Sequence, residues 1–375
     1  MRIIQNRLSG GTAMRIAIVH DYLNQYGGAE RVLEALKELF PSADVFTLVY
    51  DKKSLPQYAS WNIRTSFIAR LPGACQHPQR YCWLFPLAFR FFPVRAYDRI
   101  IVATHAWGNS IARGEAPHIT YCHTPVRYFW DLFDDYIRRR YVSWPMRVLM
   151  RCLKYPVRWY DRRCAKKVTL FIANSNEVKQ RIHQCYGRAA RVVYPPVKVD
   201  FFAAHVQLRR EAYYLIVARL KPYKRIDIII EAFNHMKKPL VVVGDGPEEK
   251  HLRSIAGPTV VFKKNISDEA LRDLYSRARG YVYAAHEDFG MSMAEALAAG
   301  TPVIAYKKGG ACEIVEENVT GIFYQEQSVA ALADAVMAAE DRSWDHAVCS
   351  TRARRFSAER FNACLTEAVS GTEAV

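Results

Sequence analysis

Short apolar runs alternate with amphipathic stretches along most of the chain, a pattern that predicts parallel β-sheets covered by helices. In the first half, Arg15–His20, Ala43–Tyr50, Arg99–Thr104, His118–Cys122 and Thr169–Asn174 read as strands, and Ala29–Phe40 reads as a helix after a Gly27-Gly28 loop. The pattern restarts with Tyr213–Ala218, Leu240–Gly244, Val260–Phe262, Tyr281–Tyr283 and Val303–Ala305, each followed by helical or turn residues. Between the two series, Val193-Tyr-Pro-Pro-Val197 is stiff and extended, because proline fixes its own φ and disfavours helix in the residue before it. The predicted fold class is therefore α/β, with two doubly wound domains over residues 14–197 and 198–355. A length of 375 residues agrees with two cores, and hydrophobic residues, half of the chain, suffice to fill them. Met14 opens its own first strand, so residues 1–13 are expected to be an upstream extension with no assigned role.

Polar residues gather where these strands end. Glu287 and Glu295 stand eight positions apart in His286-Glu-Asp-Phe-Gly-Met-Ser-Met-Ala-Glu295, which runs from a strand's carboxyl end into an alanine-rich helix. The N–H groups of Phe289, Gly290 and Met291 would lie at the helix N-terminus, and Gly290 lets a polar ligand approach the main chain. Two acids so spaced also describe a helix with one carboxylate at its start and one on its wet face. After the strand ending at Ala218, Arg219 and Lys224 offer two cations beside the next helix N-terminus, suited to a diphosphate. Asp21 and the Gly27-Gly28 pair follow the first strand, His123 ends another, and Gly244-Asp245-Gly246 follows a third. By themselves the glycine pairs read equally as tight turns.

Charge sharpens the picture in one place. Residues 1–200 hold 31 Lys+Arg against 14 Asp+Glu, while residues 201–375 hold 22 against 23. The excess is densest from Arg138 to Lys167, interleaved with Trp144, Trp159 and tyrosines, a composition suited to an anionic membrane surface. Nucleic acid is the competing polyanion, and a merely solvated basic face is the plain alternative. The nine cysteines form no C-x-x-C pair, so neither a disulfide framework nor a zinc site is expected, and there is no D-x-D to carry a divalent metal. Met1 to Ala13 lacks an apolar core, and the apolar stretch Trp83–Val94 is broken by Arg90 and two prolines, so a cytosolic protein is expected.

The Glu-Asp-Phe-Gly, Glu-Ala-Leu-Ala-Ala-Gly and Thr-Pro-Val-Ile-Ala strings around Glu287 and Glu295 resemble the E-x7-E signature of retaining glycosyltransferases of family 4. Tyr121-Cys-His123-Thr-Pro-Val-Arg127-Tyr-Phe-Trp130-Asp131 resembles the corresponding string of bacterial O-antigen and exopolysaccharide mannosyltransferases within that family. The resemblance covers nearly all of residues 14–365. It implies the GT-B fold, two Rossmann-like domains facing an interdomain cleft, with a closing helix over 356–375 that returns to the first domain. It further implies metal-independent transfer of a hexose, mannose from GDP-mannose, onto a lipid-linked oligosaccharide, with the nucleotide sugar as co-substrate and no cofactor. The implied catalytic residues are His123, Glu287, Arg219 and Lys224. The donor would meet Gly27, Gly28, Gly244, Asp245, Gly246, Phe289, Gly290, Met291 and Glu295, and the acceptor Asp21, Arg127 and Trp130. The implied place of work is the inner face of the cytoplasmic membrane. Where the subgroup carries a lysine shortly after the His105 position, this chain has Trp107-Gly108-Asn109. A UDP-sugar donor stays open, and so does a non-catalytic basic adaptor, although nucleic acid is not the expected partner of a chain that keeps these residues.

Overall fold

The computed structural model describes residues 14–131, 133–138 and 143–370. The described residues divide into two compact units, one running up to residue 195 and resuming at 362, the other of residues 196–361; the upstream extension expected over 1–13 lies outside the described residues.

In the first unit seven strands form one parallel sheet: β1 (Ile16–His20), β2 (Asp44–Thr47), β3 (Ile63–Thr65), β4 (Arg99–Thr104), β5 (His118–Cys122), β6 (Leu170–Ala173) and β7 (Ala190–Val192). Their order is β3-β2-β1-β4-β5-β6-β7, so the chain steps outward from β1 in one direction and then in the other. Every residue of β1, β4 and β5 is buried, as expected of central parallel strands covered on both faces. Alternate residues Ala17, Val19, Ile100 and Val102 join Phe46, Phe85, Phe89 and Trp107 in one apolar cluster. The short strands β3 and β7, absent from the sequence reading, close the two edges of the sheet.

The second unit repeats the plan with β8 (Tyr214–Val217), β9 (Leu240–Val243), β10 (Val260–Lys263), β11 (Gly280–Tyr283), β12 (Val303–Tyr306) and β13 (Gly321–Tyr324). All pairings are parallel, in the order β10-β9-β8-β11-β12-β13. Here too the first strand is central, and successive connections leave it on opposite sides. Ligands of open parallel sheets bind outside the carboxyl ends of the strands where the order reverses. In this chain those places lie between β1 and β4 and between β8 and β11.

The basic segment of the first unit is a helix, Trp144–Ala165, with Pro145 in its first turn, where no N–H is needed. Trp144, Tyr155 and Trp159 are 71%, 74% and 63% exposed, so the tryptophans noted in the sequence lie on the surface. The helix is held to the unit by Asp161, which is buried and accepts hydrogen bonds from Trp130 Nε1 (2.8 Å) and Tyr186 Oη (2.9 Å). The Arg158 and Arg162 guanidiniums lie 4.8 and 5.0 Å from the Trp130 ring centroid. Burial pushes the Asp161 carboxyl up to about 6, against the two hydrogen bonds and Arg162, which favour the anion. Because its folded value exceeds the ordinary 3.8, the carboxyl stabilises the fold below about pH 4, and that contribution is lost as pH rises through about 6. Asp161→Asn keeps an acceptor without the charge. Its stability relative to the parent should improve by up to about 3 kcal/mol between about pH 4 and pH 7.5, measured by urea unfolding at both values. An unchanged difference between the two would show that the carboxyl titrates normally.

Candidate functional site

In the second unit, β9, β8, β11 and β12 are neighbours, so the loops after them emerge side by side. The loop after β8 carries Arg219, Lys221 and Lys224. Its Leu220 N–H donates to Asp245 O at 2.7 Å, and Glu248 N–H donates back to Leu220 O at 3.0 Å, which fixes it to the loop after β9. Gly244 and Gly246 permit this approach, having φ of +140° and +153° and standing where a Cβ would fall 2.0 Å from Ala218 O and 2.5 Å from Leu220 O. Between β11 and β12 the loops join in the same way. Gly310 N–H donates to Glu287 O at 3.0 Å, and a Cβ on Gly310 would sit 2.0 Å from Phe289 O.

Lys224 and Glu287 meet where the strand order reverses. Lys224 Nζ donates to Glu287 Oε1 at 2.5 Å and to Tyr283 Oη at 3.0 Å. The two charged side chains are only 13% and 17% exposed. Burial works against the Lys224 ammonium, but the Glu287 carboxylate outweighs it and holds the group above its ordinary range. Tyr283, buried on β11, is held protonated by burial and then by the same carboxylate. Lys221, which the two-cation reading passed over, is partly buried, and its value is lowered by burial and by the neighbouring charges of Arg219 and Lys224. The three cations therefore crowd one another, a condition that an added anion relieves. The spacing of three basic residues in Arg219-Leu-Lys-Pro-Tyr-Lys224 was the available signal.

Gly290 takes φ +98° and leads into the Met291–Ala298 helix, and its carbonyl accepts from Met293 N–H at 3.0 Å. Tyr281 Oη donates to Val217 O (3.1 Å) and lies 2.8 Å from Ser292 Oγ, fastening this helix start to β8. Phe289 is buried beneath the loop, while Gly290 and Met291 are partly exposed. Glu295 lies deeper than a wet-face residue: it is 4% exposed, and Oε2 accepts from Tyr275 Oη at 3.0 Å. Asp245 is exposed.

The first unit gathers its polar residues at the ends of β1, β4 and β5. Asp21 is fully buried, and its carboxylate accepts from Thr104 Oγ1 (2.8 Å) and His105 N–H (2.6 Å), with His105 Nδ1 3.0 Å away. It therefore reaches the surface only through His105, whose Nε2 lies 2.8 Å from Tyr22 Oη. His123 sits beside this group, with its ring centroid 6.4 Å from that of His105 and 5.3 Å from that of Tyr121. Burial, then His105 and His20, holds its imidazole well below the ordinary value, and its buried Nε2 has no hydrogen-bond partner among the described residues. Asn174 Nδ2 donates to His123 O at 3.0 Å, while Ser175 caps the next helix by accepting from Val178 N–H. Gly27 is extended and precedes the Gly28–Leu39 helix, whose buried Glu30 lies 3.4 Å from His20 Nε2. Arg127 pairs with Asp131 at 3.0 Å, and Trp130 is taken up by Asp161. These two residues, expected on the acceptor side, are engaged in contacts that hold the unit together.

The family model described as Glycosyltransferase Family 4 matches residues 26–201, and the one described as Glycosyl transferases group 1 matches residues 199–356. The chain is 31% identical over 229 residues to the GDP-mannose-dependent alpha-(1-6)-phosphatidylinositol monomannoside mannosyltransferase of Mycobacterium tuberculosis, a match covering 51% of this chain and 59% of that protein. It is 28% identical over 162 residues to O-antigen chain mannosyltransferase C of Escherichia coli, covering 41% and 43%. The chain thus spans between two fifths and three fifths of the length of these relatives. Solved structures with similar folds include sucrose-phosphate synthase from Thermosynechococcus elongatus (TM-score 0.71, 17% identity, 96% of this chain and 100% of that one). Another is Anabaena HepE in complex with UDP (TM-score 0.69, 19% identity, 96% and 100%). Both have the GT-B fold of paired Rossmann-like domains, and the likeness extends to the architecture alone.

The glycine contacts give a stability test. Gly310 has an ordinary helical φ of −59°, so Gly310→Ala acts through its clash with the Phe289 carbonyl and should cost about 2–3 kcal/mol. Gly187, at φ +65° with open space around its Cβ position, should cost only about 1 kcal/mol as Gly187→Ala. Thermal unfolding of the two variants should rank them in that order, and the reverse order would deny the close approach of the loops.

Proposed function

We propose that this chain, a glycosyltransferase of the GT-B type, moves mannose from GDP-mannose onto a sugar hydroxyl of a lipid-linked oligosaccharide, with retention and without a metal ion. The observation that carries the reading is the gathering of Arg219, Lys221 and Lys224 after β8, with Lys224 paired to Glu287 after β11. Fixed cations there neutralise the diphosphate as the glycosyl bond breaks, the service a divalent ion supplies elsewhere. Glu287 and the main chain at Phe289, Gly290 and Met291 hold the sugar hydroxyls. Glu295, oriented by Tyr275, takes the ribose, and Gly244 to Gly246 leave room for the base. His123, the catalytic candidate of the first unit, has its imidazole kept neutral, so it serves as a hydrogen-bonding group without a positive charge. GDP-mannose is favoured by the similarity to the GDP-mannose-dependent mannosyltransferase of Mycobacterium tuberculosis and to the O-antigen chain mannosyltransferase of Escherichia coli.

The acceptor reading rests on the exposed face of the Trp144–Ala165 helix, where Trp144, Tyr155 and Trp159 stand among arginines. Such a face settles at an anionic headgroup layer with its rings at the interface, and a lipid-linked acceptor is presented there. Among the described residues no helix is long and apolar enough to cross a membrane. Attachment in this proposal is peripheral, on the inner face of the cytoplasmic membrane.

Two experiments test the proposal. Labelled GDP-mannose, UDP-glucose and UDP-N-acetylglucosamine are supplied in EDTA with a bacterial lipid extract. Transfer from GDP-mannose is expected, with Arg219→Ala and Glu287→Ala each lowering the rate by about 10²–10³. A requirement for added metal, or ordinary rates in both variants, would overturn the scheme. In vesicle sedimentation, the parent should bind phosphatidylglycerol far better than phosphatidylcholine, and the Trp144→Ser, Trp159→Ser double variant should bind roughly tenfold more weakly. Equal binding by the double variant would remove the helix from the membrane contact.

A further inference from the structure

The arrangement of Lys224 and Glu287 bears on how the nucleotide enters and leaves, given the nucleotide-sugar reading of the site on which this inference rests. Lys224 is engaged with Glu287 Oε1 at 2.5 Å and Tyr283 Oη at 3.0 Å. The pair is largely shielded from solvent, so water screens it little. Lys221 stands in the field of both Arg219 and Lys224, so positive charge is concentrated at this strand end. A diphosphate seated on the three cations must therefore either displace the carboxylate from Lys224 or lie beside it as a like charge. Displacement costs less when Glu287 has somewhere to go, and the hydroxyls of a donor sugar provide it. Once the sugar has been transferred, the nucleoside diphosphate that remains offers no such hydroxyls.

We propose that Glu287 is the built-in counter-ion of Lys224, displaced by the diphosphate of an arriving nucleotide sugar and returning after transfer to help expel the nucleoside diphosphate. The same carboxylate then favours the donor, through sugar contacts, and opposes the product, through competition for one cation. Tyr283 is a positioning residue: its hydroxyl keeps the ammonium at the strand end while the two anions exchange.

Calorimetric titration with GDP and with UDP separates the outcomes. Glu287→Gln, close in shape to the parent side chain, should bind the preferred nucleoside diphosphate about tenfold more tightly than the parent while losing sugar transfer, because its neutral amide no longer competes. Stopped-flow release of a fluorescent derivative of that nucleotide should slow by a similar factor. Glu287→Ala should shift affinity in the same direction, and Lys224→Met in the Glu287→Gln background should abolish the gain. Glu295→Gln removes a charge from the helix that follows Glu287 without touching Lys224, and it should give no gain. Affinity that is unchanged or weaker in Glu287→Gln, or a gain equally large in Glu295→Gln, overturns the competition while leaving the nucleotide-sugar reading intact. Failure of both GDP and UDP to bind parent and variants at millimolar concentration overturns that reading, and this inference with it.

Discussion

Parallel strands send every connection out at the same edge, and in each unit of this chain a pair of polar side chains meets where two neighbouring strands send theirs in opposite directions. Lys224 and Glu287 flank the gap between β8 and β11, while Asp21 and His105 flank the gap between β1 and β4. No helix crosses directly over such a gap, so polar groups there keep access to a ligand while their backbones are anchored in the sheet. The pairs differ in depth. Asp21 is wholly enclosed and presents only what His105 transmits, whereas Lys224 and Glu287 both keep some contact with solvent. An enclosed carboxylate held by a hydroxyl and a main-chain N–H has a fixed orientation, while a partly open pair has the freedom to exchange partners.

The loops holding Lys224 and Glu287 are built by main-chain contact more than by side chains. Leu220, Asp245 and Glu248 join two of them, and Glu287, Gly309 and Gly310 join the other two. Each junction is close enough that a Cβ would strike a carbonyl oxygen, which accounts for glycine at 244, 246, 309 and 310. Rigid backbone at the strand ends allows catalysis by placement, since donors and charges need no rearrangement as a bond breaks. Gly27, by contrast, is extended at φ −171°, a conformation open to any residue, so the first unit's glycine pair has no comparable conformational demand.

The central strands were legible because burial on both faces writes them as unbroken apolar runs; Ile16–His20 and Leu240–Val243 need no partner to be recognised. Edge strands lack that signature. Ile63–Thr65 and Ala190–Val192 are short and partly exposed, and Gly321–Tyr324 opens on a glycine, so pairing with a neighbour, more than their own composition, makes them strands. The cations and acids of the second unit were legible for a related reason: each lies within a short contiguous string after a recognisable strand. Lys221 was passed over because a two-cation spacing accounts for the loop without it, and only packing shows that it stands beside Arg219 and Lys224.

Sequence spacing is least informative where a site is assembled from several distant strand ends. Asp21 and His105 are 84 positions apart, and Trp130 and Asp161 are 31 apart, so neither pair forms a motif that can be read along the chain. Trp130 and Arg127 lie in a string that suggested acceptor contact, yet the indole N–H has a buried carboxylate to satisfy and the guanidinium has Asp131. A buried acid is costly without donors, and nearby donors are drawn to it before any external ligand arrives. The polar group of the first unit that leads outward is His105, joined to Tyr22 beyond Asp21, with the His123 ring beside it. The physical distinction is between polar groups spent on holding the scaffold and polar groups held by it, and it becomes visible only when their partners are known.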